Sequence, residues 1–249
     1  MKTGSASIDI AADWIRNCSK LFVLTGAGVS KESGIPTFRD AQEGLWADYN
    51  AEDLATPEGF LKDPPLVWQW YDWRRKKVQD VQPNPGHFAL TEIEQIVPNF
   101  TLVTQNVDGL HRRAGSQNLI EIHGSILLFK CFDRGHEQKE IAFDLKVPPH
   151  CQCGSMVRPS VVWFGEAIPE KALKQSYDAA ENCDVVLVVG TSGLVHPAAS
   201  LPFLAKRTGA KIIEVNPNKT ELTEGCDLFL AGPSGEILPK IVAGLKSKV

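Results

Sequence analysis

A short apolar run that ends in a glycine-rich turn constrains the fold of this chain more than any other stretch. Residues 21–24 predict a buried strand, and the turn Gly26-Ala27-Gly28 leads into residues typical of a helix start. Glycine lacks a Cβ and a helix N-terminus carries partial positive charge, so backbone N–H groups of such a turn can approach a pyrophosphate. We therefore expect a nucleotide site at residues 26–30. Lys31, however, stands where the dinucleotide fingerprint has glycine or alanine, and on the glycines alone a turn without any ligand is an equal alternative.

The composition is that of a globular protein and disfavours several classes of partner. The chain has 249 residues, of which 43% are hydrophobic and 22% charged, as expected for one domain or a large domain with an insert. A net charge of −4 without long runs of one sign disfavours a nucleic-acid partner. We see no targeting segment and no apolar run long enough for a membrane. Six cysteines are too few for a disulfide scaffold, so we expect reduced thiols and a cytoplasmic location.

Short apolar runs separated by helical stretches predict an α/β fold with a doubly wound parallel sheet. The predicted strands are residues 21–24, 99–104, 119–122, 184–190, 211–215 and 227–230. Polar or glycine residues stand at or just beyond the ends of five of them, namely Gly26, Gln105, His123, Gly190 and Asn216. The carboxyl ends of parallel strands share one edge of such a sheet, and ligands bind there. This shared placement favours the nucleotide site well beyond what the glycines alone support.

Three residues at this edge carry the chemistry that a cofactor site needs. Asn106 and Asp108, beside Gln105, can bind ribose hydroxyls and a carboxamide, although Asn-x-Asp-Gly is also a good turn sequence. His123 is the best candidate for a general base, because an imidazole pKa near ~6.5 suits proton transfer at neutral pH. A lone histidine in a strand is more often structural, and the position at the ligand edge favours function. The sequence has no nucleophile elbow, Walker lysine or HExxH helix.

Six motifs in this order and spacing resemble the sirtuin family: GAGVSKESGIPTFR, TQNVDGLH, an isolated HG, VVWFGE, GTSGLVHPAA and IIEVNP. The resemblance runs from about residue 12 to residue 245. It implies a Rossmann-like NAD-binding domain of residues 1–40, 87–124 and 159–249. Residues 41–86 and 125–158 would form a smaller domain from two inserts, a helical module and a degenerate zinc-ribbon-like module. NAD would be a co-substrate that is cleaved, which accounts for the departure at Lys31.

The resemblance also implies a role for individual residues. The pyrophosphate would be held by Gly26, Ala27 and Gly28, and the mobile cofactor loop would contain Thr37, Phe38 and Arg39. The nicotinamide and its ribose would be oriented by Gln105, Asn106 and Asp108, and the adenosine side would be bound by Gly190, Ser192 and Asn216. His123 would be the catalytic base. Two strands would clamp the substrate peptide by β-augmentation through Val162, Phe164, Gly165, Glu166, Gly193 and Leu194.

The activity implied by the resemblance is removal of acyl groups from lysines of protein or peptide partners. The acyl oxygen would attack the ribose carbon that carries nicotinamide, and nicotinamide would leave. His123 would then remove a ribose hydroxyl proton, so that the neighbouring oxygen can attack the imidate carbon. Water would complete the reaction, and the products would be free lysine, nicotinamide and O-acyl-ADP-ribose. One alternative is an ADP-ribosyltransferase on the same site. Another is a silent NAD-binding sensor, against which the intact His123, Asn106 and Asp108 argue.

Tyr71 and Arg74 indicate which acyl groups the site accepts. The stretch around them looks helical, and the three-residue spacing places the two side chains on one face. The pair is similar to the Tyr-x-x-Arg pair of the sirtuin subgroup that removes acidic acyl groups. This similarity implies a preference for succinyl-, malonyl- or glutaryl-lysine over acetyl-lysine. The alternative is a helix-surface arginine beside a core tyrosine.

The cysteines of the second insert depart from the family pattern. Most sirtuins hold a zinc ion with two cysteine pairs, but here Arg134 stands three residues after Cys131, and Cys151 and Cys153 are only one residue apart. Three thiolates with His136 or His150 could still form a Cys₃His site. Two departures in one small motif favour a site that has decayed, so we expect no metal here.

Overall fold

The computed structural model describes residues 4–36, 49–139 and 141–247. The predicted cofactor-loop residues Thr37, Phe38 and Arg39 lie outside these ranges. Within them, the helices are α1 (Ser5–Asn17), α2 (Gly28–Lys31), α3 (Ala51–Leu54), α4 (Pro57–Lys62), α5 (Pro64–Asp80), α6 (Pro85–Ile96), α7 (Leu110–Ala114), α8 (Glu170–Glu181), α9 (Leu201–Arg207) and α10 (Ser234–Lys246). The strands are β1 (Lys20–Thr25), β2 (Asn99–Thr104), β3 (Leu119–Glu121), β4 (Gly124–Cys131), β5 (Glu137–Gln138), β6 (Val157–Val161), β7 (Val185–Val189), β8 (Lys211–Asn216) and β9 (Leu228–Ala231).

Six of these strands form one parallel sheet in the order β3-β2-β1-β7-β8-β9. The chain builds outward from β1 in one direction through β2 and β3, and in the other through β7, β8 and β9. This order is that of the doubly wound Rossmann fold, so the predicted fold class is confirmed. The register places Thr25, at the end of β1, opposite both Thr104 and Val189. The carboxyl ends of β1, β2 and β7 therefore lie side by side at the point where the winding changes direction.

Two hydrophobic layers cover the parallel sheet, one on each face. Side chains of β1 alternate between them: Leu21 and Val23 pack with α1, α6 and α10, while Phe22 and Leu24 pack with α8 and α9. All four are at most 2% exposed. Such a strand, buried on both faces, reads as a continuous apolar run, which explains why it is recognisable in the sequence.

A second, antiparallel sheet has the strand order β5-β4-β6. It shares a core with α3, α4 and α5, in which Trp70 and Tyr71 pack with Ile126, Val161 and Trp163. The predicted domain boundaries remain a prediction, and β6 crosses the one at residue 159. No helix in the described ranges has the length and apolar character needed to cross a membrane.

Candidate active site

The turn after β1 packs directly against the turn after β7. The amide of Gly26 donates to the Val189 carbonyl at 3.1 Å, and that of Gly28 donates to the Gly190 carbonyl at 2.8 Å. A Cβ on Gly28 would lie 2.7 Å from the Gly190 oxygen, so only glycine fits this approach. The sequence suggested that these glycines make room for a pyrophosphate, whereas their closest neighbour is the other turn. Among the described residues the Ala27 amide has no hydrogen-bond partner, and it is the donor of this turn that a pyrophosphate can use.

A chain of hydrogen bonds links the carboxyl ends of β3, β2, β7 and β8, which lie on the same edge of the sheet. Gln105, after β2, donates from Nε2 to Thr191 Oγ1 at 3.0 Å. Its backbone carbonyl lies 3.1 Å from His123 Nδ1, after β3. Asn216, at the end of β8, donates from Nδ2 to the Thr191 carbonyl at 2.8 Å. Thr191 follows β7 and is buried. Its central place is not evident from the sequence, because a threonine after a strand is usual in any turn.

A second cluster joins α2 to the turn after β2. Ser30 Oγ donates to Asp108 Oδ2 at 2.7 Å and accepts from Asn106 Nδ2 at 3.1 Å. All three residues are buried. Asp108 Oδ1 also accepts the Leu110 amide at 2.8 Å at the start of α7. The same carboxylate therefore stabilises the turn after β2 and takes part in the cluster with Ser30. Burial raises the pKa of Asp108, and the bonds from Leu110 and Ser30 act in the opposite direction.

His123 has the tautomer and the charge state of a general base. Because a carbonyl can only accept, the 3.1 Å contact requires His123 Nδ1–H to donate to the Gln105 oxygen. The lone pair is then on Nε2. Burial lowers the pKa of His123, against a smaller opposite effect of the Gln105 bond, so the ring is neutral at pH 7. A neutral imidazole in fixed orientation can accept a proton at one defined atom.

The predicted peptide-binding segments expose large apolar side chains. Phe164 is 42% and Leu194 47% exposed, although both follow buried strands. Glu166, predicted to contact the peptide, also stabilises its own loop. Its two carboxylate oxygens each accept from Arg158 at 2.7 Å, and Oε2 also accepts the Trp163 amide at 2.8 Å. The sequence could not reveal this ion pair, because nothing in it marks Arg158 as a buried residue.

Tyr71 and Arg74 lie on α5 at the spacing that the sequence predicts. The helix begins at Pro64, where the Asp63 side chain accepts the Leu66 amide at 3.0 Å. Tyr71 is buried, and burial raises its pKa to about 12, so the phenol keeps its proton. Burial lowers the pKa of Arg74, while the charges of Tyr71 and Asp108 act in the opposite direction. Arg74 therefore lies within electrostatic reach of both the phenol and the Asp108 cluster.

Four metal-binding side chains converge beside the antiparallel sheet: Cys131, His136, Cys151 and Cys153, whose ligand atoms all lie within 4.8 Å of one another. Cys151 Sγ is 3.7 Å from His136 Nδ1, and Cys153 Sγ is 4.0 Å from Cys131 Sγ. A tetrahedral zinc site with Zn–S bonds near ~2.3 Å has ligand–ligand edges of about 3.8 Å, so these donors fit the ion. The arrangement does not support the expected decayed site, and of the two candidate histidines it selects His136. Four protein ligands leave no open position, so zinc here would stabilise the fold and take no part in the reaction.

We expect the purified protein to contain one zinc ion per chain, measured by inductively coupled plasma mass spectrometry. Removing a ligand in Cys151→Ser or His136→Ala is expected to lower the zinc content and the Tm, because a bound metal stabilises only the folded state. His150→Ala is the matched control, since His150 lies outside the cluster and should leave the zinc content unchanged. Wild-type protein without metal would restore the interpretation of a decayed site.

Two buried histidines lie next to the Ser30 cluster. His87 and His111 are at most 1% exposed, and their ring centroids are 4.8 Å apart. His87 Nδ1 accepts the Asn84 amide at the start of α6, so the neutral ring carries its proton on Nε2, 3.5 Å from Ser30 Oγ. Burial lowers the pKa of His87 to about 4 and that of His111 well below its usual value. Both rings are therefore neutral in the folded protein at pH 7.

This burial predicts a loss of stability in acid. Below pH 6.5 the unfolded chain binds a proton at His87 that the folded chain excludes, so the free energy of unfolding falls as pH decreases toward 4. Between pH 7 and pH 4.5 we expect His87 to account for about 2–3 kcal/mol, measured by urea unfolding. The non-titrating variant His87→Gln should flatten the pH dependence by this amount. An unchanged slope in the variant would show that His87 titrates normally in the folded state.

Comparison with known proteins agrees with this geometry. The model of the Sir2 family matches residues 26–197. A protein of Aquifex aeolicus named NAD-dependent protein deacylase is 50% identical over 92% of this chain and 96% of its own length. A Pyrococcus furiosus protein of the same name is 49% identical over 92% and 94%. The crystal structure of a Sir2 homologue in complex with NAD superposes with a TM-score of 0.89 at 44% identity, covering 96% of this chain and 93% of that one.

Three features share one edge of the sheet: a glycine turn whose Ala27 amide has no partner among the described residues, a buried Asn-Ser-Asp cluster and an oriented histidine. Together they fit NAD and define an NAD-using enzyme with a doubly wound fold. With residues 26–197 matched and relatives near 50% identity, the assignment becomes specific. The chain belongs to the Sir2 family. The resemblance seen in the sequence is therefore confirmed at the level of the family.

Proposed function

We propose that this protein removes acyl groups from protein lysines in an NAD-dependent reaction that releases nicotinamide and O-acyl-ADP-ribose. The observation that carries the proposal is the hydrogen bond from His123 Nδ1 to the Gln105 carbonyl, which leaves Nε2 as a proton acceptor at the sheet edge. Relatives named NAD-dependent protein deacylase that cover nearly all of this chain support it. A cytoplasmic location, expected from the free thiols, remains part of the proposal.

The residues would divide the work along the edge of the sheet. Bound NAD would supply the ribose carbon that takes the acyl oxygen as nicotinamide leaves. The Ala27 amide would bind the pyrophosphate, and Asn106 and Asp108 would bind the nicotinamide and its ribose. Ser30 keeps these two side chains in fixed positions. His123 would accept a ribose hydroxyl proton at Nε2, so that the ribose oxygen can attack the acyl carbon; water would then be consumed as the lysine amine leaves and the acyl group stays on the ribose.

The substrate would approach from the exposed segments beside this edge. We assign peptide binding to Val162, Phe164 and Gly165 on one side and to Gly193 and Leu194 on the other. Phe164 and Leu194 present apolar surface, and a peptide strand laid between the segments would use main-chain hydrogen bonds. The adenosine side would be bound by Gly190, Ser192 and Asn216.

The acyl group would reach Tyr71 and Arg74, and we propose that succinyl-, malonyl- or glutaryl-lysine is preferred to acetyl-lysine. A guanidinium can bind a carboxylate with two hydrogen bonds, and a protonated phenol can add a third. The position of Arg74 near Asp108 supports this assignment, since it brings the cation to the reacting end of the site. One structural neighbour, Sir2Af2, 34% identical with a TM-score of 0.77, binds a myristoylated histone peptide, so a long acyl chain belongs among the substrates tested.

The test is a panel of peptides that differ only in the acyl group on one lysine: acetyl, succinyl, malonyl, glutaryl and myristoyl. Each is incubated with NAD, and the products are identified by mass spectrometry. Free lysine, nicotinamide and O-acyl-ADP-ribose support deacylation. A protein that gains ADP-ribose instead would favour an ADP-ribosyltransferase, and NAD binding without nicotinamide release would favour a silent sensor.

A further inference from the structure

The indole of Trp163 donates a hydrogen bond to Tyr71, and this bond has no role in the reaction proposed above. Trp163 Nε1 donates to Tyr71 Oη at 2.7 Å, and the two rings are inclined by 29° with centroids 6.1 Å apart. Both residues are at most 3% exposed. Trp163 belongs to the segment assigned to the peptide, and Tyr71 belongs to the pair assigned to the acyl group. The bond therefore connects two parts of the substrate site that are 92 residues apart in sequence.

The surroundings of Trp163 hold the indole in one orientation. The guanidinium carbon of Arg158 lies 3.4 Å from the centroid of its ring, and Phe60 packs against the ring at 5.3 Å. Arg158 also bonds to Glu166 with both terminal nitrogens, and Glu166 accepts the Trp163 amide. Turning the indole would remove its packing against Arg158 and Phe60, and Arg158 is itself held by its ion pair with Glu166. Its N–H direction is therefore fixed by its own loop.

A fixed donor determines what Tyr71 can do with its hydroxyl group. An indole N–H only donates, so Tyr71 Oη must accept from Trp163 and keeps its own proton for another acceptor. No described residue accepts a hydrogen bond from this hydroxyl. A buried O–H without an acceptor is unfavourable unless a ligand supplies one, and a carboxylate is the strongest acceptor available to a phenol. Arg74, one turn further along the same face of α5, adds a positive charge beside it.

We propose that Trp163 is a positioning residue for acyl recognition, which directs the Tyr71 hydroxyl toward the carboxylate of an acidic acyl group. This inference rests on the proposed preference for acidic acyl groups and adds a residue that sets it. If packing in the core were the whole role of Trp163, another aromatic side chain would serve equally well at this position. The hydrogen bond distinguishes the two possibilities, because a phenyl ring retains the packing and lacks the N–H.

The variant Trp163→Phe tests the proposal through selectivity. We expect kcat/KM for a succinyl-lysine peptide to fall about 3- to 10-fold, mainly through KM, as for loss of one hydrogen bond. Activity on the acetyl peptide and KM for NAD should stay within twofold. Trp68→Phe is the matched control, because Trp68 is an equally buried indole on α5 whose Nε1 has no hydrogen-bond partner among the described residues. It should leave the ratio of succinyl to acetyl activity unchanged.

A double-mutant cycle shows whether Trp163 acts through Tyr71. In a Tyr71→Phe background, Trp163→Phe should not change the succinyl-to-acetyl ratio further. If Trp163→Phe does not fold, β-(3-benzothienyl)alanine at position 163 replaces the N–H by sulfur at nearly the same shape. If the wild-type enzyme prefers succinyl-lysine and Trp163→Phe has the same succinyl-to-acetyl ratio as the wild-type enzyme, the inference is overturned and the proposed function remains intact. A wild-type enzyme without this preference would instead reject the acidic-acyl function, and the inference with it.

Discussion

Replacing His123 with alanine is expected to lower kcat for deacylation by about 10²- to 10⁴-fold, the usual contribution of a general base. The imidazole is held by its Nδ1 bond to the Gln105 carbonyl, so one substitution removes both the proton acceptor and its fixed geometry. KM for NAD should change little, because the pyrophosphate and ribose contacts are assigned to other residues. Steady-state rates from nicotinamide release measure both constants.

Nicotinamide exchange provides a control, because His123 is proposed to act only after nicotinamide has left. If the base is needed only after nicotinamide has left, the variant should still exchange labelled nicotinamide into NAD in the presence of acyl peptide. Loss of product formation with retained exchange therefore identifies a base, whereas equal loss of both would mean that His123 holds the site together. Wild-type activity should also fall in acid with a midpoint below pH 6.5, because burial lowers the pKa of His123 and only the neutral ring accepts a proton.

The sequence was sufficient to predict the parallel sheet and to place the candidate site at one edge of it. Strands buried on both faces appear as apolar runs, as in β1 and β7, and the residue after each run marks the ligand edge. His123 and Gln105 were recognised by that position, and the structure joins them with a hydrogen bond. This reasoning works because a parallel sheet fixes where each strand ends relative to its neighbours.

The contacts between side chains could not be predicted in the same way. Ser30 and Thr191 connect the site residues, yet small hydroxyl residues near turns are too common to be informative. The ion pair of Glu166 with Arg158 was not predicted, because it depends on how β6 meets the following loop. Trp163 is buried within an apolar stretch, but nothing in the sequence indicates the direction of its N–H.

Replacing Arg74 with methionine is expected to separate activity on acidic acyl groups from activity on acetyl-lysine. A guanidinium that binds a carboxylate through two hydrogen bonds contributes about 1.5–3 kcal/mol for each bond. We therefore expect kcat/KM for succinyl-lysine to fall about 10²-fold or more, and that for acetyl-lysine to change by less than about fivefold. Methionine retains much of the length of the arginine stem, so the apolar packing of the half-buried side chain is largely preserved.

Two further variants show whether geometry or charge alone explains the effect. Arg74→Lys keeps the charge but loses the planar fork, so an intermediate loss of succinyl activity is expected if two parallel bonds matter. Lys77→Met removes a charge one turn further along α5 and should leave selectivity unchanged if the effect is local. Equal losses of succinyl and acetyl activity in Arg74→Met would instead assign the side chain to the Asp108 cluster, where its charge would support the nicotinamide site for every acyl substrate. The ratio of the two activities therefore decides between an acyl-binding and a cofactor-supporting arginine.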